Sequence, residues 1–265
     1  MGKIAIVGAT GHFGGKAIDF LLKGGIKPSD IIALYRNESK AAPLKEKGLE
    51  IRLADYQSGQ YPPSVFDGAD KLLFIPGNDI ENVKQKSEFG MENVHVATEH
   101  AIKATGIPYT FLRNTFYTEY FLTEKDLKQA VDTGVLETLS QGKKINFVTR
   151  EDMAHAAAAV LLSPQDHLNK TYDITAPKAY SYQEIAEILT EITGKPVKTQ
   201  ETTIEKRVAF LDSIGVPKQF QLFDGVLSQA KFARGWAEGT SSALADLIGK
   251  DTIKSPKQII KEIFA

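Results

Sequence analysis

The chain has 265 residues, 42% of them hydrophobic and 25% charged, with a formal net charge of −1. A chain of this length and composition can bury a full core, so a disordered protein is excluded. There is no basic excess to neutralise a nucleic-acid backbone or an anionic membrane, and the absence of cysteine removes disulfides, thiol catalysis and cysteine-held metals and suits a reducing compartment.

The five histidines, His12, His95, His100, His155 and His167, fall into no HExxH-like cluster, so no metal site is expected. Met1 to Val7 runs into a strand without a cleavable apolar core. The apolar stretches are far shorter than the roughly 20 residues a membrane helix requires. These features predict a cytoplasmic protein with neither a nucleic-acid nor a membrane partner.

In chain order, Lys3 to Val7 reads as a buried strand, and Phe13, Ala17, Ile18, Leu21 and Leu22 recur at helical spacing until Gly24-Gly25. Ile31 to Tyr35 is a second strand, Ser39 to Lys47 a short helix, Glu50 to Leu53 a third strand and Lys71 to Ile75 a fourth. A helix over Val94 to Ala104, stopped by Gly106, precedes a strand over Tyr109 to Leu112. This alternation is the signature of a parallel sheet with crossover helices. The second half is more helical: Glu151 to Leu162, Ser181 to Ile192 with an S-x-x-E capping box and Gly194 as its stop, and a series from Ile204 onward in which Ser255-Pro256 starts the last helix. Tyr172 to Thr175 and Val197 to Thr199 are short strands between them. The fold class expected is α/β, a Rossmann-like doubly wound parallel sheet with a smaller, mostly helical C-terminal portion. The expected division is a dinucleotide-binding domain over 1–150 and a substrate-side portion over 151–265, packed closely enough to count as one domain.

The middle of the chain is short. Only 18 residues separate Ile75 from Val94, whereas a crossover alone takes at least about 10–12 before the strand it reaches. Either the sheet lacks a helix and strand that such folds usually carry, or a segment between 77 and 93 is missing from the sequence. The structure should then show a spatial break between about Gly77 and Val94 or a sheet one strand short. An unbroken full-sized sheet would refute the strand count.

Gly8-Ala9-Thr10-Gly11-His12-Phe13-Gly14 lies between the first strand and first helix, where a phosphate loop belongs. Gly8 permits the tight turn, Gly11 lets the backbone approach a pyrophosphate, Gly14 lets helix and strand pack closely, and the amides opening the helix bind the anion. A glycine-rich structural turn is the alternative. After the second strand come Arg36 and Asn37, with Lys40 one turn on, where NAD-preferring domains place an acid. The two cations favour the 2′-phosphate of NADP(H). A charge-assisted bond of about 1.5–3 kcal/mol predicts roughly a 10- to 100-fold preference for NADPH; a solvated basic pair is the alternative. Asp55-Tyr56 is placed to meet the adenine, or is a surface turn.

These residues, together with Y-R-N-E-S-K, L-A-D-Y, K-L-L-F-I-P-G, A-T-E-H-A-I-K-A-T-G-I-P-Y-T-F-L-R-N and V-T-R-E-D-M-A-H-A-A-A-A-V-L, resemble the atypical short-chain dehydrogenase/reductases of the NmrA-like family, and within it the bacterial NAD(P)H:quinone and triphenylmethane-dye reductases. The resemblance spans nearly the whole chain. It implies NADP(H) on the glycine loop, Arg36 and Lys40 near the 2′-phosphate, and Ile75, Pro76 and Gly77 by the nicotinamide ribose. It also implies that Asn114, Phe116, Tyr117 and Tyr120 line the acceptor cleft, where aromatic residues beside a cofactor ring would make a flat slot for a quinone or dye. Phe116 and Tyr120, four apart, read equally as helix-packing residues.

The chain departs from the family's Tyr-x-x-x-Lys pair, since none of its nine tyrosines is followed by lysine at that spacing. His95 and Glu99 occupy the place. A histidine there can deliver a proton, but a glutamate cannot supply the lysine's charge, and a helix-surface histidine is the other reading of His95. Two functions follow: an NADPH-dependent reductase of quinones, azo dyes or similar conjugated acceptors, or a non-catalytic NADP(H) sensor that reports to a protein partner. The chain is expected to be a monomer or homodimer.

Overall fold

The computed structural model describes residues 2–55, 62–76, 92–221 and 224–265. Along the chain run β1 (Lys3–Val7), α1 (His12–Lys23), β2 (Ile31–Tyr35), α2 (Glu38–Glu46), β3 (Glu50–Leu53), β4 (Ala69–Phe74), α3 (Glu92–Ala104) and β5 (Thr110–Asn114). After them come β6 (Phe116–Tyr117), α4 (Thr118–Phe121), α5 (Glu124–Thr133), β7 (Val135–Thr138), β8 (Phe147–Val148), α6 (Arg150–Leu162) and β9 (Lys170–Ile174). The rest is α7 (Tyr182–Thr193), β10 (Lys198–Glu201), α8 (Ile204–Ser213), α9 (Lys218–Gln221), α10 (Gly225–Gln229), α11 (Ala243–Ile248) and α12 (Pro256–Phe264). No helix among the described residues is long and apolar enough to cross a membrane.

The chain forms two compact units that interleave. The first takes Met1–Leu112 and Arg150–Thr171, the second Arg113–Thr149 and Tyr172–Ala265. Position 150 is one of the crossing points, and the chain crosses also after Leu112 and after Thr171.

The first unit is a Rossmann-like α/β layer structure. Its sheet has the order β3-β2-β1-β4, all parallel, with Ile4 opposite Ile31 and Lys71, and Ala33 opposite Ile51. Ile4, Ala5, Ile6, Ile31, Ile32 and Ala33 are fully buried, as expected of parallel strands covered on both faces. One face is covered by α1 through Ile18 and Leu21, in a cluster with Leu44 of α2 and Ala158 of α6. The alanine run of α6 (Ala154, Ala156, Ala157 and Ala158, all buried) lets that helix lie close against α1. On the other face Val7, Leu34 and Val65 form a second cluster.

The four-stranded sheet ends at β4, and β5 pairs with β9 in a separate two-stranded ladder. An unbroken full-sized sheet is therefore not what the described residues form. Most of the stretch 77–93, including Gly77, lies outside them, as does Tyr56. The strand of the Y-T-F-L-R-N block also runs further than its apolar letters suggest, through Arg113 and Asn114.

The second unit holds two more short parallel pairs, β10 on β7 and β6 on β8. The capping box expected of Ser181 and Glu184 opens α7, and Ser255, expected as the cap before Pro256, opens α12 and forms a second box with Gln258. Its core is aromatic: Phe116 meets Phe121 at 5.7 Å and Phe232 at 4.6 Å between ring centroids, and Phe121 meets Phe147 at 6.3 Å.

Candidate active site

In the first unit the chain goes from β1 outward through β2 and β3, then returns to place β4 on the other side of β1. The order of strands reverses at β1, and in such sheets the crevice beyond the carboxyl end of that strand is where ligands bind. The glycine loop occupies this position. Gly8, at φ 77, turns the chain out of the sheet, and the Gly11 N–H donates to Gly8 O at 3.0 Å to close the turn. The loop leads into α1, whose N-cap is Gly11.

A glycine cap has no side chain to satisfy the first helical amides, and the first turn of α1 carries no acid. Intrahelical bonding of the loop starts with the Gly15 N–H to Gly11 O, 2.9 Å, so the amides of His12, Phe13 and Gly14 open the helix ahead of it. Uncapped amides at the positive end of a helix dipole suit an anion. A Cβ on Gly14 would sit 2.3 Å from Gly8 O and 2.9 Å from Ala9 Cα, whereas one on Gly15 would meet nothing within 4 Å. The helix is thus wedged against the loop at Gly14 and open beside it at Gly15.

That opening is a cleft of about 350 Å³, lined by Thr10, Gly11, His12, Lys16, Asp19 and Lys40 among others. The Lys16 ammonium is 3.6 Å from Glu151, and Asp19 is paired with Lys47 at 2.7 Å. Parallel register gathers the remaining residues at the same end of the sheet. Arg36 and Asn37 follow β2, Asp55 follows β3, whose end is tied to β2 by the Ala54 N–H to Tyr35 O at 2.8 Å, and Ile75 and Pro76 follow β4. Ile75 lies next to the loop, with its Cβ 3.3 Å from where a Cβ on Gly8 would stand. The Asn37 side chain caps α2, accepting from the Ser39 N–H at 3.0 Å and the Ser39 hydroxyl at 2.7 Å. The donors present, helix amides and two lysines, fit the phosphates of a dinucleotide.

Lys16 was not singled out by the letters, although it stands four residues after His12 and so on the same helical face.

The second unit contains its own cleft, of about 320 Å³. Asn114 and Phe116 line it together with Arg113, Asp173 and Trp236. Tyr117 and Tyr120 are not among its lining residues. The Tyr120 hydroxyl sits 3.5 Å from Ser228 Oγ, and burial raises its pKa. Phe116 is in a strand, which corrects the helix-packing alternative for it, while its edge contacts with Phe121 and Phe232 make it part of the core as well as of the cleft. His95 is exposed on α3 and lines neither cleft. Trp236 has a signal in the letters that went unread: it is the single tryptophan and lies four residues after Phe232.

The pattern of the NmrA-like family matches residues 93–224. Quinone oxidoreductase 2 of Escherichia coli is 31% identical to this chain, over 94% of the chain and 94% of that protein. The chain belongs to the NmrA-like family. It is an oxidoreductase of that family, with the family's Rossmann-type fold. Among solved structures, the Citrobacter sp. triphenylmethane reductase complexed with NADP(H) matches with a TM-score of 0.86 and 35% identity, covering 98% of this chain and 100% of that one. The NADPH complex of the E. coli quinone oxidoreductase matches this NmrA-like chain with a TM-score of 0.86 and 30% identity, over 99% and 100%.

Proposed function

We propose that this chain is an NADPH-dependent reductase that passes hydride to a quinone, azo dye or similar conjugated acceptor. The observation that carries the reading is the uncapped glycine-loop helix at the strand-order reversal, with Lys40 lining the same cleft. Relatives that reduce quinones or dyes with NADP(H), similar over almost their full length, support it.

In this reading the amides of His12, Phe13 and Gly14 hold the pyrophosphate, with Gly8, Thr10 and Gly11 shaping the loop. Arg36, Asn37 and Lys40 hold the adenosine 2′-phosphate, and Asp55 borders the adenine. Ile75 and Pro76 pack beside the nicotinamide ribose and keep water from it. Bound reduced nicotinamide supplies the hydride. Asn114 donates from its carboxamide to the acceptor carbonyl, and Phe116 offers an aromatic edge to the acceptor ring. A reduced quinone oxygen is a comparatively stable anion that solvent can protonate, so the missing Tyr-x-x-x-Lys pair is tolerated for this chemistry where it would not be for an alcohol or ketone.

The test is to mix the protein with NADPH and a panel of quinones and follow the loss of reduced-nicotinamide absorbance. Fast, saturable oxidation is expected; rates no higher with any acceptor than without one would sink the reading. A second reading, a non-catalytic NADP(H) sensor acting on a protein partner, draws on the missing Tyr-x-x-x-Lys pair and on an exposed His95 that lines neither cleft. It predicts similar affinity for oxidised and reduced cofactor and no turnover.

A further inference from the structure

The cleft of the second unit is walled on one side by Trp236, which is not among the acceptor residues expected from the sequence. Trp236 is 45% exposed, yet its position is fixed on several sides. Its indole N–H donates to Lys231 O at 2.8 Å. Its ring meets Phe116 at 5.6 Å and Phe232 at 5.4 Å, both edge to face. Gly235, at φ 77, sets the turn that delivers it. A large aromatic ring held in place while keeping nearly half its surface open is a preformed stacking platform, with little ordering left to do when a ligand arrives.

Another part of the lining is polar and equally fixed. The Ser241 N–H donates to Thr175 Oγ1 at 2.7 Å, Thr175 Oγ1 donates to Ser241 Oγ at 3.2 Å, and Ser241 Oγ donates in turn to Asp173 O. This chain of bonds ties the segment after Trp236 to the end of β9. Gly239, between the two in sequence, would carry a Cβ into open space, so the room there is not filled by protein. An apolar ring surface in the same cleft as the Asn114 carboxamide, which can donate to a carbonyl oxygen, suits a flat aromatic molecule with a polar edge. At about 320 Å³ the cleft lies near the lower end of the roughly 300–1,000 Å³ of small-molecule sites, which leaves room for one or two fused rings and not for a three-armed dye.

We propose that this cleft binds a flat aromatic carbonyl compound of one or two fused rings, that the molecule stacks on Trp236, and that Trp236 thereby determines which acceptors the chain takes. Identifying the molecule with the hydride acceptor rests on the reductase reading; the binding itself does not.

Because Trp236 is the single tryptophan, its fluorescence reports this cleft alone. The protein is titrated with 2-methyl-1,4-naphthoquinone, free N-acetyltryptophanamide serving as the control for absorbance and collisional quenching, and Kd is measured in parallel by calorimetry for wild type, Trp236→Phe and Trp236→Ala. Saturable quenching beyond the control is expected, with Kd raised roughly five- to tenfold in Trp236→Ala and much less in Trp236→Phe. A triarylmethane dye should neither bind as tightly nor displace the quinone. Quenching no different from the control, an unchanged Kd in Trp236→Ala, or a dye that competes on equal terms overturns the proposal. Should Trp236→Ala fail to fold, the wild-type quenching and the dye competition still decide it. Saturable quenching without NADPH oxidation would leave the cleft standing and remove the reductase reading. Turnover that Trp236→Ala leaves untouched would do the reverse.

Discussion

Two adjacent glycines in the loop sit in opposite environments, and that contrast is testable. A methyl group at position 14 collides with backbone atoms, Gly8 O and Ala9 Cα, that cannot swing aside, while one at position 15 meets nothing. Gly14→Ala should therefore cost about 1–3 kcal/mol and weaken NADPH binding by opening the loop. Gly15→Ala, within the helix, should gain about 0.5–1 kcal/mol from the lower entropy of the unfolded chain. Denaturant midpoints of the two variants check this, and equal effects would contradict the loop geometry. At the rim of the crevice, Lys40 lines the loop cleft and Arg36 follows β2 at the same end of the sheet. Replacing either with alanine should raise the Kd for NADPH about tenfold and leave that for NADH nearly unchanged. A parallel loss for both cofactors would mean that neither cation reads the 2′-phosphate.

At the scale of elements, the first unit was readable because its signals are local. Each buried strand is a short apolar run and α1 shows its 3.6-residue period; in the second unit the S-x-x-E box of Ser181 announces α7 and Ser255-Pro256 announces α12. What the letters did not show depends on partners distant in sequence. The pairing of Lys198–Glu201 with Val135–Thr138 joins half-polar strands whose character comes only from each other, and α5 shows few apolar residues apart from the buried Leu127, Ala130 and Val131. In the site, the glycine loop was legible because its function is written in one stretch, whereas Trp236 reaches its cleft through the fold. The packing of α6 on α1 carries its own prediction. His155 stacks on Phe20, with 4.2 Å between centroids and an angle of 5°, and its Nδ1 is buried with no hydrogen-bond partner. Burial, aided by the Lys23 charge and opposed by Glu151, lowers its pKa below the ordinary 6.5. Since the folded protein holds this proton less tightly than the unfolded chain, stability is full above about pH 6.5 and declines as pH falls from there toward the lowered value. His155→Phe keeps the stack and removes the titration, so it should flatten the slope of stability against pH between about 5 and 7. An unchanged slope would assign the sensitivity in that window to another group, though not to Glu184, whose contribution is lost only below about pH 4.5. Burial alone would raise that carboxyl, but the Ser181 N–H, Lys178 and Lys144 outweigh it and hold it at about 2.

For the whole molecule, a net charge of −1 means that an anionic cofactor is not drawn in by a general field, so on the proposed reading its affinity comes from local donors: helix amides, Arg36, Lys16 and Lys40. Such binding acts on the folded state alone and therefore raises its stability by mass action. At a free NADPH concentration of about 100 times Kd the gain is about 2.7 kcal/mol. A chain of this size shifts its Tm by about 2–4 °C for each kcal/mol, which makes the expected rise about 5–10 °C. NADH at the same concentration should give a clearly smaller rise, and the difference should shrink in Arg36→Ala combined with Lys40→Ala. Added salt should narrow it too, because exposed charges are screened over about 8 Å at physiological ionic strength. Thermal melts with each cofactor decide this without any turnover, so they separate binding from catalysis. A large NADPH shift with no acceptor-dependent oxidation would favour the sensor. Equal shifts for NADH and NADPH would remove the 2′-phosphate assignment whichever function the chain performs.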